Sequence, residues 1–174
     1  MSAARHRPDG TRRHALRIAL RLGDSTAGIY GTLLTLSVLV GLSIDPPGAG
    51  VMTVTVAVSV AVFWLAHVHA ELVARWIRSG LAPDRAAIGA MMLRESPMLE
   101  SALPVIVFLV LAWLGVIGVT LAGWLGVAWG VAALAGWGLL IARKADLGTL
   151  GVLVVAGINL ALGGLIVLLK LLVH

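Results

Sequence analysis

The chain has 174 residues, 60% hydrophobic and 12% charged, with no cysteine. A soluble domain carries roughly 25% charged residues, so this apolar excess, at a mean hydropathy of +1.03, requires lipid as solvent. The missing cysteine excludes a disulfide framework, a thiolate metal site and a cysteine nucleophile, and the net charge of +5 does not indicate nucleic acid, because the basic residues flank apolar stretches where anionic headgroups and topology account for them.

Residues 1–10 are polar. In Thr11–Leu22, Arg13, Arg17 and Arg21 repeat every four residues and form one basic helical stripe. Leu16, Ile18, Ala19 and Leu20 supply apolar surface around it. Such a helix lies at the headgroup boundary, with anionic lipid as its partner. Gly23 suits its stop, and Asp24 or Ser25 suits an N-cap for the first span. Residues 1–22 thus read as a basic cytoplasmic tail and interfacial helix, and residues 23–174 as a transmembrane bundle. Thr11–Arg17 superficially matches a twin-arginine export signal, but Arg17, Arg21 and Asp24 interrupt the apolar stretch such a signal needs.

A membrane span needs roughly 20 mostly apolar residues. Five segments are predicted, at about 26–44, 51–71, 101–121, 123–142 and 149–173. The fold class is therefore an all-α polytopic bundle. The first span ends at Asp45-Pro46-Pro47-Gly48, a short turn that makes the first two spans antiparallel neighbours. Between the second and third spans, Pro83-Asp84 starts a short helix carrying Ile88, Met91 and Met92 on one face, read as an interfacial cover. Ser96-Pro97 reads as N-cap and first residue of the third span. Pro104 then kinks that helix or moves its start later.

With the N-terminus in the cytoplasm, twelve basic residues lie inside, from Arg5 to Lys144, and Lys170 alone lies outside. That bias orients the chain, and five crossings put the C-terminus outside. The arginine-rich, Ala/Val/Leu/Gly-dominated composition suits a bacterial inner membrane.

The polar residues inside the spans are the candidates for chemistry. Trp64, His67, Glu71 and Arg75 fall on one helical ridge. Each helical residue advances about 100°, so His67 and Glu71 are about 40° apart, whereas His69 points about 160° from His67. One helix cannot bring all three to one metal; further ligands would have to come from Glu95, Glu100 or Asp24. Glu71 and Arg75 have the favourable order for an i, i+4 ion pair. Histidine titrates near neutral pH, so the alternative to a structural pair is a proton-handling couple of His67 and Glu71. Tyr30 lies at comparable depth on the first span. Tyr30, His67 and Glu71 are expected to converge at the cytoplasmic end, with His69, Arg75 and Glu100 in the surrounding polar cluster.

Asn159 is the amide within a span and is expected to bond across to another helix. Gly157 and Ala161 near it, and Gly126 and Gly130 in the fourth span, have small-residue spacing that allows close helix contact, within the chain or in a homo-oligomer. Trp113, Trp124 and Trp137 sit near span ends, as an aromatic belt requires; Trp129 does not. Motifs for phosphate, dinucleotide or nucleophile-elbow sites do not occur, so no cofactor is expected.

Two stretches carry a resemblance: Gly28-Ile29-Tyr30-Gly31-Thr32-Leu33-Leu34, and Trp64-Leu65-Ala66-His67 with Ala70. On these the chain resembles a family of small actinobacterial integral membrane proteins without an assigned activity. The resemblance implies the architecture and singles out Tyr30 and His67, and it transfers no mechanism. Three functions fit: a small channel or transporter for protons or ions, a membrane scaffold or accessory subunit whose polar cluster is structural, and a metal-dependent membrane enzyme.

Overall fold

A computed structural model of the chain describes residues 9–144 and 148–173, and every regular element among them is helical. The helices are α1 (Asp9–Leu42), α2 (Ala49–Ser79), α3 (Arg85–Arg94), α4 (Pro97–Glu100), α5 (Leu103–Trp113), α6 (Val119–Lys144) and α7 (Thr149–Val173). Helix α6 packs against α1, α5 and α7, and α2 packs against α1, α5 and the short α3 and α4.

The core lies between α1, α2, α5 and α6. Leu36 and Leu39, then Met52, Val56 and Val60, then Val105 and Leu109, then Ala122 and Leu134 are almost wholly buried. Their spacing of three, four or a multiple of these places each set on one helical face. The opposite face of α2 is just as apolar: Val54, Val58 and Val62 are each more than half exposed. A helix that is apolar all round needs protein on one side and lipid on the other.

Fewer segments than the predicted five satisfy the requirements of a crossing. Among the described residues two helices are long and apolar enough, Ala49–Ser79 and Val119–Arg143, or three if the bent pair Arg85–Glu100 and Leu103–Trp113 counts as one broken span. The first and last predicted spans lie within α1 and α7, whose described side chains cover the apolar stretches Thr26–Leu42 and Thr149–Leu165. The third, 101–121, is cut short: α5 ends at Trp113, Gly115 takes φ of 74°, and Val119–Leu121 already belong to α6, so α5 reaches crossing length only together with Arg85–Glu100, from which it is bent by 53°. Pro104 falls in the first turn of α5, where its missing N–H is no loss.

Two further boundaries differ from expectation. Helix α1 is continuous through Gly23, Asp24 and Ser25, since an interior glycine costs a helix only about 1 kcal/mol relative to alanine. The side chains of the predicted arginine stripe lie outside the described ones. Ser96 does not cap the helix with its side chain; it donates to Glu100 Oε1 at 2.8 Å. Asp84 does cap α3, accepting from the Ala87 N–H at 2.7 Å, and α3 buries Met91 while Ile88 stays exposed. Gly80 closes α2 with φ of 68°, its N–H reaching the Trp76 carbonyl, a left-handed position that favours glycine.

Threonines enter this core by bonding within their own helix. Thr32 donates to the Gly28 carbonyl and Thr35 to that of Gly31, at 2.8 and 2.7 Å. Both are buried, and the i−4 bond satisfies each hydroxyl where water is absent.

Candidate functional site

The close approach of α1 to its neighbours builds the site. At Gly31 a Cβ would collide with the Met98 carbonyl and lie 2.7 Å from Met98 Cα, so the backbones of α1 and α4 touch there. At Gly28 a Cβ would collide with the Trp137 ring of α6. Between these two glycines, Tyr30 points toward α2. Its ring stacks on His67, with centroids 5.8 Å apart and planes 30° from parallel.

The carboxylate beside His67 is Glu95, at the C-terminal end of α3. Its Oε2 lies 3.3 Å from His67 Nε2, an ion pair when the imidazole is protonated. The side chain of Glu95 is 5% exposed and that of His67 33%. Arg94 Nε stands 3.7 Å from Glu95 Oε1, within ion-pair range but too far for a hydrogen bond, and that buried nitrogen has no hydrogen-bond partner among the described residues. Trp64 Nε1, one turn before His67, is likewise buried without one. A row therefore runs Tyr30, His67, Glu95, Arg94 across α1, α2 and α3. A buried carboxylate flanked by a titratable imidazole and a guanidinium can hold or release a proton, or bolt three helices together.

The other expected members stand apart. Glu71 is half-buried and Arg75 exposed, and among the described residues neither forms an ion pair or side-chain hydrogen bond, with each other or elsewhere. Arg75 instead lines a surface cleft of about 590 Å³ with Trp76, Arg78 and Pro83. His69 is exposed, as its angular offset requires. Glu100 is bound to Ser96 rather than to Tyr30 or His67. Asp24 lies outside the described side chains. No group of three or more His, Asp or Glu side chains among the described residues could hold a metal ion.

The small-residue faces divide the same way. A Cβ at Gly126 would lie 2.7 Å from Leu39 Cδ2, and one at Gly130 would collide with Leu36, so this face of α6 seats α1. Asn159 is 7% exposed and has a bonding partner; it lies against Gly138 of α6. Gly163 meets Leu134. Gly157 faces open space and Ala161 is exposed, so α7 packs on α6 through its other face.

Glu95 is the residue that helical spacing cannot join to His67. It stands in the connection after the second predicted span, and its proximity to the site depends on how α3 folds back on α2. The available signal was that Glu95 is a carboxylate between Met91 and Met98, both wholly buried here. The chain matches no family model, and no curated protein or solved structure is significantly similar to it.

Proposed function

We propose that this is a small bacterial inner-membrane protein of the resembled actinobacterial type, in which His67 and Glu95 form a proton-handling pair that serves proton or ion movement. The observation that carries the reading is the 5% exposed carboxylate of Glu95 set 3.3 Å from His67. Ionisable groups among membrane helices are costly and are retained at pathways and relays. Tyr30, stacked on the imidazole, fixes the ring's plane. Arg94 places a positive charge on the far side of the carboxylate.

The test is proton flux in proteoliposomes holding the full chain, measured from about pH 5.5 to about pH 8.5 across the ordinary histidine range. Wild type is expected to carry a pH-dependent flux that His67→Ala and Glu95→Gln each abolish, while Glu71→Gln leaves it unchanged. Identical pH profiles in all four proteins would discard proton handling. They would leave the second reading, a scaffold or accessory subunit whose His67–Glu95 pair is a structural bolt, which is favoured by the pairing of Glu95 on both sides.

The topology belongs to the same proposal: N-terminus in the cytoplasm, and α1 and α7 crossing beside α2, α6 and the bent α3–α5 segment to leave the C-terminus outside. The twelve-to-one distribution of basic residues supports it. A phosphatase reporter that works only outside the cytoplasm, fused after His174, is expected to be active. An inactive phosphatase fusion, with an active fusion to a reporter that works only in the cytoplasm, would overturn the odd number of crossings.

A further inference from the structure

Glu100 stands outside the His67–Glu95 row. It lines a second cavity, about 270 Å³, with Ser101 on one side and Trp129, Ala133, Gly136 and Trp137 of α6 on the other. Ala133 lies close to the middle of Val119–Arg143, one of the helices long and apolar enough to cross a membrane. The cleft therefore lies beside the central part of that helix, and Glu100, which lines it, is exposed. Its Oε1 accepts from Ser96, and among the described residues it has no cationic partner. An exposed carboxylate that opens onto such a cleft can serve as the counter-charge of a bound cation.

The rest of the cavity defines the chemistry of that positive group. Trp129 and Trp137 are eight residues apart on α6, about two turns, and bracket the cleft from one helix face. Indole faces attract cations, and most strongly where water is excluded. The lining is otherwise small or apolar: Pro97, Ala133, Gly136 and Leu140. Nothing there offers the ring of oxygen ligands that a hard metal cation needs. The volume suits a compact organic ion.

We propose that the cleft between α4 and α6 binds a compact lipophilic organic cation of the quaternary ammonium class, with Glu100 as counter-ion and Trp129 and Trp137 as aromatic walls. Trp137 is held in place by Gly28, whose missing side chain admits the ring. Trp129 lines the cleft and is 45% exposed. A quaternary ammonium has no N–H to satisfy, so one carboxylate and two π faces suffice for it. This site is separate from the His67–Glu95 pair, and the inference stands whether or not that pair handles protons.

The experiment is calorimetric titration of the full chain, purified in a neutral detergent, with tetraethylammonium chloride against a sodium chloride control. Wild type is expected to bind saturably. Glu100→Gln should weaken binding at least about tenfold, Trp129→Leu about fivefold, and His67→Ala not at all. An absence of saturable binding in wild type would overturn the proposal, as would undiminished affinity in Glu100→Gln that keeps its helical circular dichroism. Should Glu100→Gln not fold, Trp129→Leu decides alone, and unchanged affinity there overturns the site. A wild-type chain that is dimeric by light scattering and takes up no cation would assign the cleft to a second copy instead.

Discussion

Gly31→Ala is expected to destabilise the chain by roughly 2–3 kcal/mol, near the upper end of what one added methyl group costs in a packed interior. The added Cβ meets the Met98 carbonyl and Met98 Cα, which are backbone atoms, and Ser101 Oγ. Backbone cannot rotate out of the way, so α1 must withdraw from α4. That withdrawal would also pull Tyr30 from His67. Gly130→Ala meets only the branched end of Leu36, which can change rotamer, and should cost about 1 kcal/mol. Gly157→Ala meets nothing within 4 Å and should be neutral or stabilising by up to about 1 kcal/mol through helix propensity. Unfolding in mixed micelles, followed by circular dichroism, ranks the three. Equal stability of Gly31→Ala and Gly157→Ala would show that α1 and α4 do not touch at this point.

The same contacts explain the composition of the stretch Gly28–Leu34. Its two glycines are the points where α1 approaches α6 and α4, and Tyr30 between them is aimed at α2. Thr32 and Thr35 bond back to the carbonyls of Gly28 and Gly31, so the same residues that remove side-chain bulk also anchor the neighbouring hydroxyls. The stretch Trp64–His67 supplies the other half of the contact. The two segments thus meet where Tyr30 stacks on His67.

The helical nature of the fold was legible because almost every apolar run is too long for a strand and lacks alternation. The short helix after Pro83-Asp84 was legible from its capping aspartate; Pro104 signalled either a kink or a later start, and α5 begins at Leu103. The number of crossings was not. Hydropathy registers apolar residues but not a turn such as Leu114–Gly118, which is as apolar as the helices it separates. Nor could Gly23 be read as helix interior, because glycine serves both as a stop and as a tolerated interior residue.

At the site, helical geometry sets His69 apart from His67 because that depends on one helix alone, and His69 is exposed. It proposed Glu71 as the partner of His67 because i+4 neighbours are the ones a sequence displays. The structure uses Glu95, 28 positions away, and that choice is made by the path of the chain between α2 and α3. The same limit explains α7: a helix apolar on every side does not reveal which of its small residues faces inward, so Asn159 and Gly163 face α6 while Gly157 does not.

The second large effect follows from how unequally the His67–Glu95 pair is buried. His67→Ala should destabilise the protein by on the order of 2 kcal/mol, because it strands a carboxylate that is 5% exposed beside an arginine 3.7 Å away. The figure lies below the range for a fully buried pair because His67 is a third exposed and because polar groups unfolded within a membrane find other partners. Glu95→Gln should cost less, about 1 kcal/mol, since the amide keeps the shape and the half-open imidazole can turn to water. The double variant should then lose less than the sum of the two single losses, with a coupling of about 1 kcal/mol. The pair is an ion pair only with His67 protonated. Its coupling should therefore be larger at about pH 5.5 than at about pH 8.5, on either side of the ordinary histidine value. The double-mutant cycle, measured by unfolding at both pH values, checks the pairing directly. Additive losses at both would mean that His67 and Glu95 are neighbours without an interaction, and would remove the observation on which proton handling rests.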